Sequence, residues 1–337
     1  MKPNKILCLF LFLAVVVLCA APFVGMIGEM SWGQLWYRII LPYRLPRVVI
    51  GFLAGAGLAT AGMTFQAMFR NPLATPFTLG VSSGAALGAS IAIYFGVYFE
   101  SLILWLNWVP ASEGTADVYF ARVGLQTVMA FAGAVGTVAL VYLLTRVKRD
   151  MSNATMLLAG VALSFFFSSI ILVFQYLGNF YEAFQILRWV MGGLSGVSWP
   201  EDVLILGPFV LLASAAVWWM THDLNLLATG ESLAASRGVN VDRVKRRLFF
   251  VVSLMVGAVV AVCGPIGFVG LMSPHICRMI IGPDHRHLMP ASWLFGGTFL
   301  VVCDTLARTA IPHSEFPVGI ITSLLGGPFF IWLLLRK

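Results

Sequence analysis

About ten stretches of this chain are each apolar over the length that crosses a bilayer, and that succession limits the fold more than any other feature. They run near 6–27, 46–69, 78–99, 120–145, 153–177, 202–220, 248–264, 269–282, 288–307 and 317–335. A spanning helix needs about 20 mostly apolar residues. Backbone polar groups find no water at that depth, so an all-α polytopic membrane protein follows. With 60% of 337 residues hydrophobic and 10% charged, little chain remains for a soluble domain, and residues 1–337 read as one transmembrane domain. The eighth run is short and follows Gly264-Pro265, so it is not expected to cross as a plain helix.

An even number of spans puts both termini on one side. Lys and Arg concentrate on the side that also holds Thr221–Arg247, which makes that side cytoplasmic by the positive-inside rule. The net charge of +7 restates this bias and points to anionic lipid headgroups, not to nucleic acid. The five cysteines all lie in apolar runs and form no CxxC, so neither a disulfide framework nor a thiolate metal site is indicated. Lys2 and Lys5 precede an apolar stretch longer than a signal-peptide core, which reads as a retained first helix.

The longest polar segment is THDLNLLATGESLAASRGVNVDRVKRR at 221–247. Asp223 is placed to cap a first short helix, and Glu231 to Arg237 read as a second. Gly238 falls where a left-handed residue ends a helix, and Asn240 can cap a third with Val241, Val244 and Leu248 on one face. An ordinary topogenic loop would be shorter and less structured. Two short helices joined by glycine form a knob suited to a groove on another protein.

An internal repeat organises the rest. Gly55, Ala56, Ala59 and Gly62 return with one common offset as Gly257, Ala258, Ala261 and Gly264, and with the same offset Asn71-Pro72 becomes Ser273-Pro274. Five spans separate the two starts, so spans 2–5 and 7–10 form an inverted repeat, a recurrent transporter plan. Asn71-Pro72 and Thr75-Pro76 break the chain at membrane depth, making 71–90 a pathway segment. Ser152, Asn153 and Thr155 stand at the cytoplasmic mouth of the fifth span, where Ser152 or Asn153 could equally serve as an N-cap. WVMGGLSGVSW at 189–199 reads as a short interfacial helix and turn outside.

No convincing catalytic constellation is present: HExxH is absent, and His285 and His287 flank Arg286 in a polar turn. A proton-coupled carrier would place ionisable groups within its spans, yet essentially only Asp304 qualifies, with Arg308 one turn on as its partner. The chain has no Gly-Lys pair and hence no Walker A loop, so ATP energy would have to come from a separate subunit acting through the knob.

Six ordered blocks then resemble one family: RLPR at 44–47, GAGLATAGMTFQAMFRNPLATPFTLGVSSGA at 55–85, LLAGVAL at 157–163, WVMGGLSGVSW at 189–199, GPIGFVGLMSPHICRMIIGPDHR at 264–286 and EFPVGIITSLLGGPFFIWLLLR at 315–336. They are similar to the permeases of type II ABC importers for iron-siderophores, haem and vitamin B12. The resemblance implies a ten-span subunit of the cytoplasmic (inner) membrane that forms a homodimer around a central pathway. It implies two ATP-binding cassette subunits, which hold ATP and Mg, and an extracytoplasmic binding protein; this chain would bind no cofactor itself. It makes the 221–247 segment the coupling helices, with Gly230, Glu231, Ala234, Gly238 and Val239 matching the family pattern and Ser232 and Arg237 departing from it. It places the inner constriction near the start of the fifth span, where Ser152 and Asn153 would meet the turn of Gly80, Ser82 and Ser83. Arg44, Arg47 and Arg308, which stand outside against the charge bias, would dock acidic groups of the binding protein. An iron chelate is the leading substrate class, with haem or vitamin B12 as the alternatives.

Overall fold

A computed structural model of the protein describes residues 3–25, 36–96, 115–147, 153–197, 201–310 and 315–335. Its α-helices are α1 (Pro3–Ala20), α2 (Leu45–Phe69), α3 (Val81–Tyr94), α4 (Thr115–Val147), α5 (Asn153–Leu177), α6 (Phe180–Val190) and α7 (Glu201–Trp219). They continue as α8 (Thr221–Thr229), α9 (Glu231–Ser236), α10 (Val241–Cys263), α11 (Val269–Ile281), α12 (His285–Thr309) and α13 (Val318–Leu335). Among the described residues seven are long and apolar enough to cross a membrane: α1, α2, α4, α5, α7, α10 and α12. The apolar helices α3, α11 and α13 are shorter. Among the described residues the helices within the third, eighth and tenth apolar runs are thus the shorter ones.

The bundle is built around α2, in which every residue except Leu45, Val49 and Leu53 is buried. Lipid removes most of the hydrophobic drive for helices to associate, so close packing must supply it, and small residues allow that. Gly55 of α2 lies against the Gly296 carbonyl of α12, and Gly62 lies against the Gly270 carbonyl of α11; a methyl group at either glycine would strike backbone. By contrast α5 and α7 present Leu158, Phe165, Phe166, Leu172, Leu204 and Leu212 outward, a surface suited to acyl chains.

The two halves break their helices on opposite faces. After α2 the chain turns on the face that carries α8 and α9 (the knob face), and α3 starts behind Gly80 at φ 77°. After α10 it turns on the far face through Gly264 at φ 67°, and α11 starts behind Phe268 at φ 64°. Left-handed residues thus cap the short helix in each half. The proline correspondence expected from the repeat does not hold: Pro274 lies inside α11, and the second break is Gly264–Phe268. Proline has no N–H for the carbonyl four residues back. Here that carbonyl belongs to Gly270 and packs against Gly62.

The 189–199 segment is also corrected. The helix precedes it as α6, opened by a capping box in which the Asn179 side chain accepts the Glu182 N–H and the Glu182 carboxylate accepts the Asn179 N–H. Residues 191–197 form a turn, while 198 and 199 lie outside the described residues. The Gly193 N–H donates to the Cys263 carbonyl at 2.8 Å, stitching this turn to the far-face break.

Candidate functional site

The knob folds nearly as its residues dictate. Asp223 does not cap α8; the helix begins at Thr221, straight after α7, and Asp223 occupies its first turn, where a carboxylate favours the dipole. Gly230, at φ 133° and ψ 147°, separates α8 from α9, a conformation glycine alone adopts readily. Glu231 opens α9, Ala234 is fully buried, and Leu233 is 53% exposed. The helix closes in a Schellman motif: the Gly238 N–H donates to the Ala235 carbonyl at 3.0 Å and the Val239 N–H to the Ala234 carbonyl at 3.1 Å, with Gly238 at φ 87°. The expected cap at Asn240 is present, its side chain accepting the Arg243 N–H at 3.1 Å. The third short helix is the first turns of α10, which runs unbroken into the membrane.

Two polar ties fasten the knob to the bundle. From α8, the Asn225 Nδ2 donates to Asp284 at 2.8 Å, and the His285 N–H donates to the Asn225 Oδ1 at 2.9 Å. Asp284 caps α12 by accepting the Arg286 N–H. Partial desolvation pushes its carboxyl up, but the Arg286 N–H, the Asn225 amide and His287 outweigh this and hold it below the ordinary carboxylate value. From α9, the Glu231 carboxylate accepts from the buried Lys245 of α10 at 2.7 Å. Neither Lys245 nor Asn225 stands out in the sequence reading. Lys245 shares a helical face with Val241, Val244 and Leu248, and that register is the signal that it turns inward.

At the mouth, Ser152 lies outside the described residues. Asn153 is the first residue of α5; its Oδ1 accepts from Lys245 at 2.9 Å and its Nδ2 donates to the Phe69 carbonyl at 3.3 Å. Phe69 ends α2. Arg70 follows in the left-handed region at φ 49°, and the Asn71 N–H returns to the Gln66 carbonyl at 3.1 Å. The turn that ends at Gly80 is seated on α5 by glycine: a methyl at Gly160 would meet Leu79 and the Thr78 carbonyl at 2.5 Å. Ser82 is buried with its hydroxyl unpaired, and Ser83 is half-buried. Asn153 and Gly80 thus both belong to the contact of α5 with the first break.

On the far face Arg47 and Arg308 gather around two carboxylates, with Arg44 at the edge of the cluster. The Arg47 Nε donates to both oxygens of Asp304 at 2.9 Å, and its NH1 donates to Glu315 at 2.8 Å. Arg47 is 8% exposed and Asp304 2%. Arg308 approaches Asp304 at 3.4 Å, the expected one-turn pair, and donates to the Ala21 carbonyl at 3.0 Å. Arg44 donates to the Pro22 carbonyl at 3.0 Å. Three arginines against Asp304 and Glu315 leave this cluster with one net positive charge. Asp304 is held by two guanidinium groups.

The sequence profile of the FecCD transport family matches residues 6–336. The hemin transport system permease protein HmuU of Yersinia pestis is 36% identical over 344 residues, covering 100% of this chain and 97% of that protein. The cobalamin import system permease protein BtuC of Halobacterium salinarum is 40% identical over 296 residues, covering 88% and 73%. Among solved structures, a metal-chelate type ABC transporter in an inward-facing conformation superposes with a TM-score of 0.84 at 29% identity, covering 99% of this chain and 100% of that one.

Proposed function

The chain belongs to the FecCD transport family, and from that premise we propose that it is the membrane-spanning half of an importer that carries a ferric chelate into the cytoplasm. It is a permease subunit of an ABC importer. The finer assignment, an iron chelate, draws on the relative named as an Fe(3+)-citrate import permease, while the relatives named for hemin and cobalamin stand for the alternatives. Two copies would enclose the pathway, with two ATP-hydrolysing subunits on the knob face and a substrate-binding protein on the far face. The knob face is then cytoplasmic, together with both termini, in the cell's inner membrane.

The knob carries this reading. Gly230, Glu231, Ala234, Gly238 and Val239 build a short helix closed at both ends by glycine and anchored by Ala234, while Leu233 is left exposed for a partner. Arg237, which replaces the family's leucine, adds a cation beside that contact surface. Asn153, with Ser152 before it, and the Gly80, Ser82 and Ser83 turn form the inner gate in this proposal, supported by the seating of that turn on Gly160. Arg44, Arg47 and Arg308 are the docking set for acidic groups of the binding protein. Arg47 and Arg308 are engaged by Asp304 and Glu315, so they act through the cluster's net charge, and Arg44 lies at its edge.

Proteoliposomes holding this chain with its ATPase and binding protein test the reading. A radiolabelled ferric hydroxamate is expected to enter with ATP and to keep entering when a protonophore is added, in preference to hemin and cyanocobalamin. Uptake that collapses with the protonophore while ATP persists would instead establish a proton-coupled carrier.

A further inference from the structure

We infer that Lys245 is a positioning residue that links the coupling knob to the inner mouth, so that displacement of α9 is felt directly at the gate. The inference rests on the ATP-driven reading above. One buried ammonium touches both parts: its Nζ lies 2.7 Å from Glu231 Oε1 at the start of α9 and 2.9 Å from Asn153 Oδ1 at the start of α5. Asn153 continues the chain of contacts to the Phe69 carbonyl, where α2 gives way to the first break. Four helices, α9, α10, α5 and α2, therefore meet through three hydrogen bonds.

The physical chemistry makes this a link and not an incidental contact. Lys245 is 3% exposed, so water cannot replace a lost partner, and a buried cation without its carboxylate is strongly unfavourable. Movement of Glu231 must either draw the ammonium along or leave it to Asn153 alone. Charge-assisted bonds of this kind are about twice as strong as neutral ones. The neighbouring Arg243, Arg246 and Arg247 are exposed and offer no such path. Lysine suits the place because its three hydrogens diverge from one point on a flexible stem, whereas a planar guanidinium would fork toward a single acceptor. The Glu231 side chain is still 41% exposed, so the carboxylate that holds Lys245 also reaches the knob's surface, where an ATPase would bear on it.

The test reads gate movement without needing the substrate. A spin label on Ala154, an exposed residue beside Asn153, reports the distance between the two protomers' mouths in the assembled complex, with and without ATP and vanadate. In Lys245→Met the nucleotide-dependent shift is expected to vanish while ATP hydrolysis stays within about twofold, the signature of lost coupling. Asn153→Leu cuts the same chain one link further on and should do the same, and the double variant should uncouple no more than either alone. Lys245→Arg should restore part of the shift. A Lys245→Met complex whose mouth moves as in the unmutated protein overturns the inference, as do parallel losses of hydrolysis and assembly in both single variants, which would mark a purely structural tie. If Lys245→Met alone fails to assemble, Asn153→Leu decides between these outcomes. Failure of the underlying reading looks different: the unmutated chain would capture no ATPase and show no nucleotide-dependent shift.

Discussion

Each face of this protein buries a cation against a carboxylate, yet the two arrangements sit in different mechanical settings. On the far face Arg47 of α2 grips Asp304 of α12. Those two helices are already locked at Gly55 and Gly296, where backbone meets backbone. On the knob face Lys245 joins α9 to α5, and the glycines that bound α9 are loosely surrounded: a methyl on Gly238 would meet nothing within 4 Å, and one on Gly230 would meet only the Arg70 side chain, at 3.7 Å. The same chemistry therefore acts as a rivet between parts that cannot separate and as a joint between parts that can. Packing around an ion pair, more than its geometry, decides which role it takes.

The largest expected effect comes from breaking the rivet. Asp304→Leu would leave Arg47 and Arg308 sharing only Glu315, and a buried pair broken on one side costs about 3–5 kcal/mol. Loss of the monodisperse protein in detergent, followed by fluorescence-detected gel filtration during heating, is the expected result. Replacing both members, Arg47→Met with Asp304→Leu, removes the uncompensated charge and should recover part of that loss. A double variant as unstable as the single one would show that the pair contributes more than mutual neutralisation.

Next in size is a contrast between two glycines. Gly62→Ala drives a methyl into the Gly270 carbonyl, and since neither backbone can move without parting α2 from α11, folding should suffer by more than about 1–3 kcal/mol. Gly238→Val meets no neighbour, but its φ of 87° forces a β-branched residue into the left-handed region, costing about 1–2 kcal/mol, most of it within the knob. Gly62→Ala should therefore lower the melting temperature sharply. Gly238→Val should leave the protein inserted and near-normal in stability but inactive in ATP-driven uptake. Normal uptake by Gly238→Val at normal expression would remove the knob from the mechanism.

What could be read in the residues follows from how local the governing physics is. The caps at Gly238 and Asn240 were legible because each depends on its own few neighbours, and the Asp304–Arg308 pair because one helical turn joins them. Arg47–Asp304 was not, since its members stand 257 positions apart and nothing in either neighbourhood names the other. Lys245 was half legible. Its spacing from Val241 and Leu248 places it on the apolar face of α10, but its charge, shared with four arginines of the same loop, points to a solvated side chain. The repeat misled at Pro274 for a related reason: Gly62 lies inside α2 while its matched Gly264 ends α10, so the glycine offset does not align the two breaks.

The smallest effect sharpens the comparison at the knob's other tie. Asp284 holds Asn225 of α8 and caps α12, but its side chain is 49% exposed, so screening limits its charge to a contribution well under 1 kcal/mol. Asp284→Asn keeps a good N-cap and a partner for Asn225 while removing the charge that favours the helix N-terminus and His287. Because the folded carboxyl titrates below its ordinary 3.8, its stabilising charge is fully present above that value and is lost as pH falls through the lower, folded value. The Asp284→Asn protein should thus melt slightly lower than the parent at neutral pH, and the gap should close as the buffer is taken to and below 3.8. A gap that stays constant over that range would assign the effect to the altered hydrogen bonds. Coupling should be untouched in either case, because Asn225 and Asp284 tie α8 to α12 and neither hydrogen-bonds to Asn153.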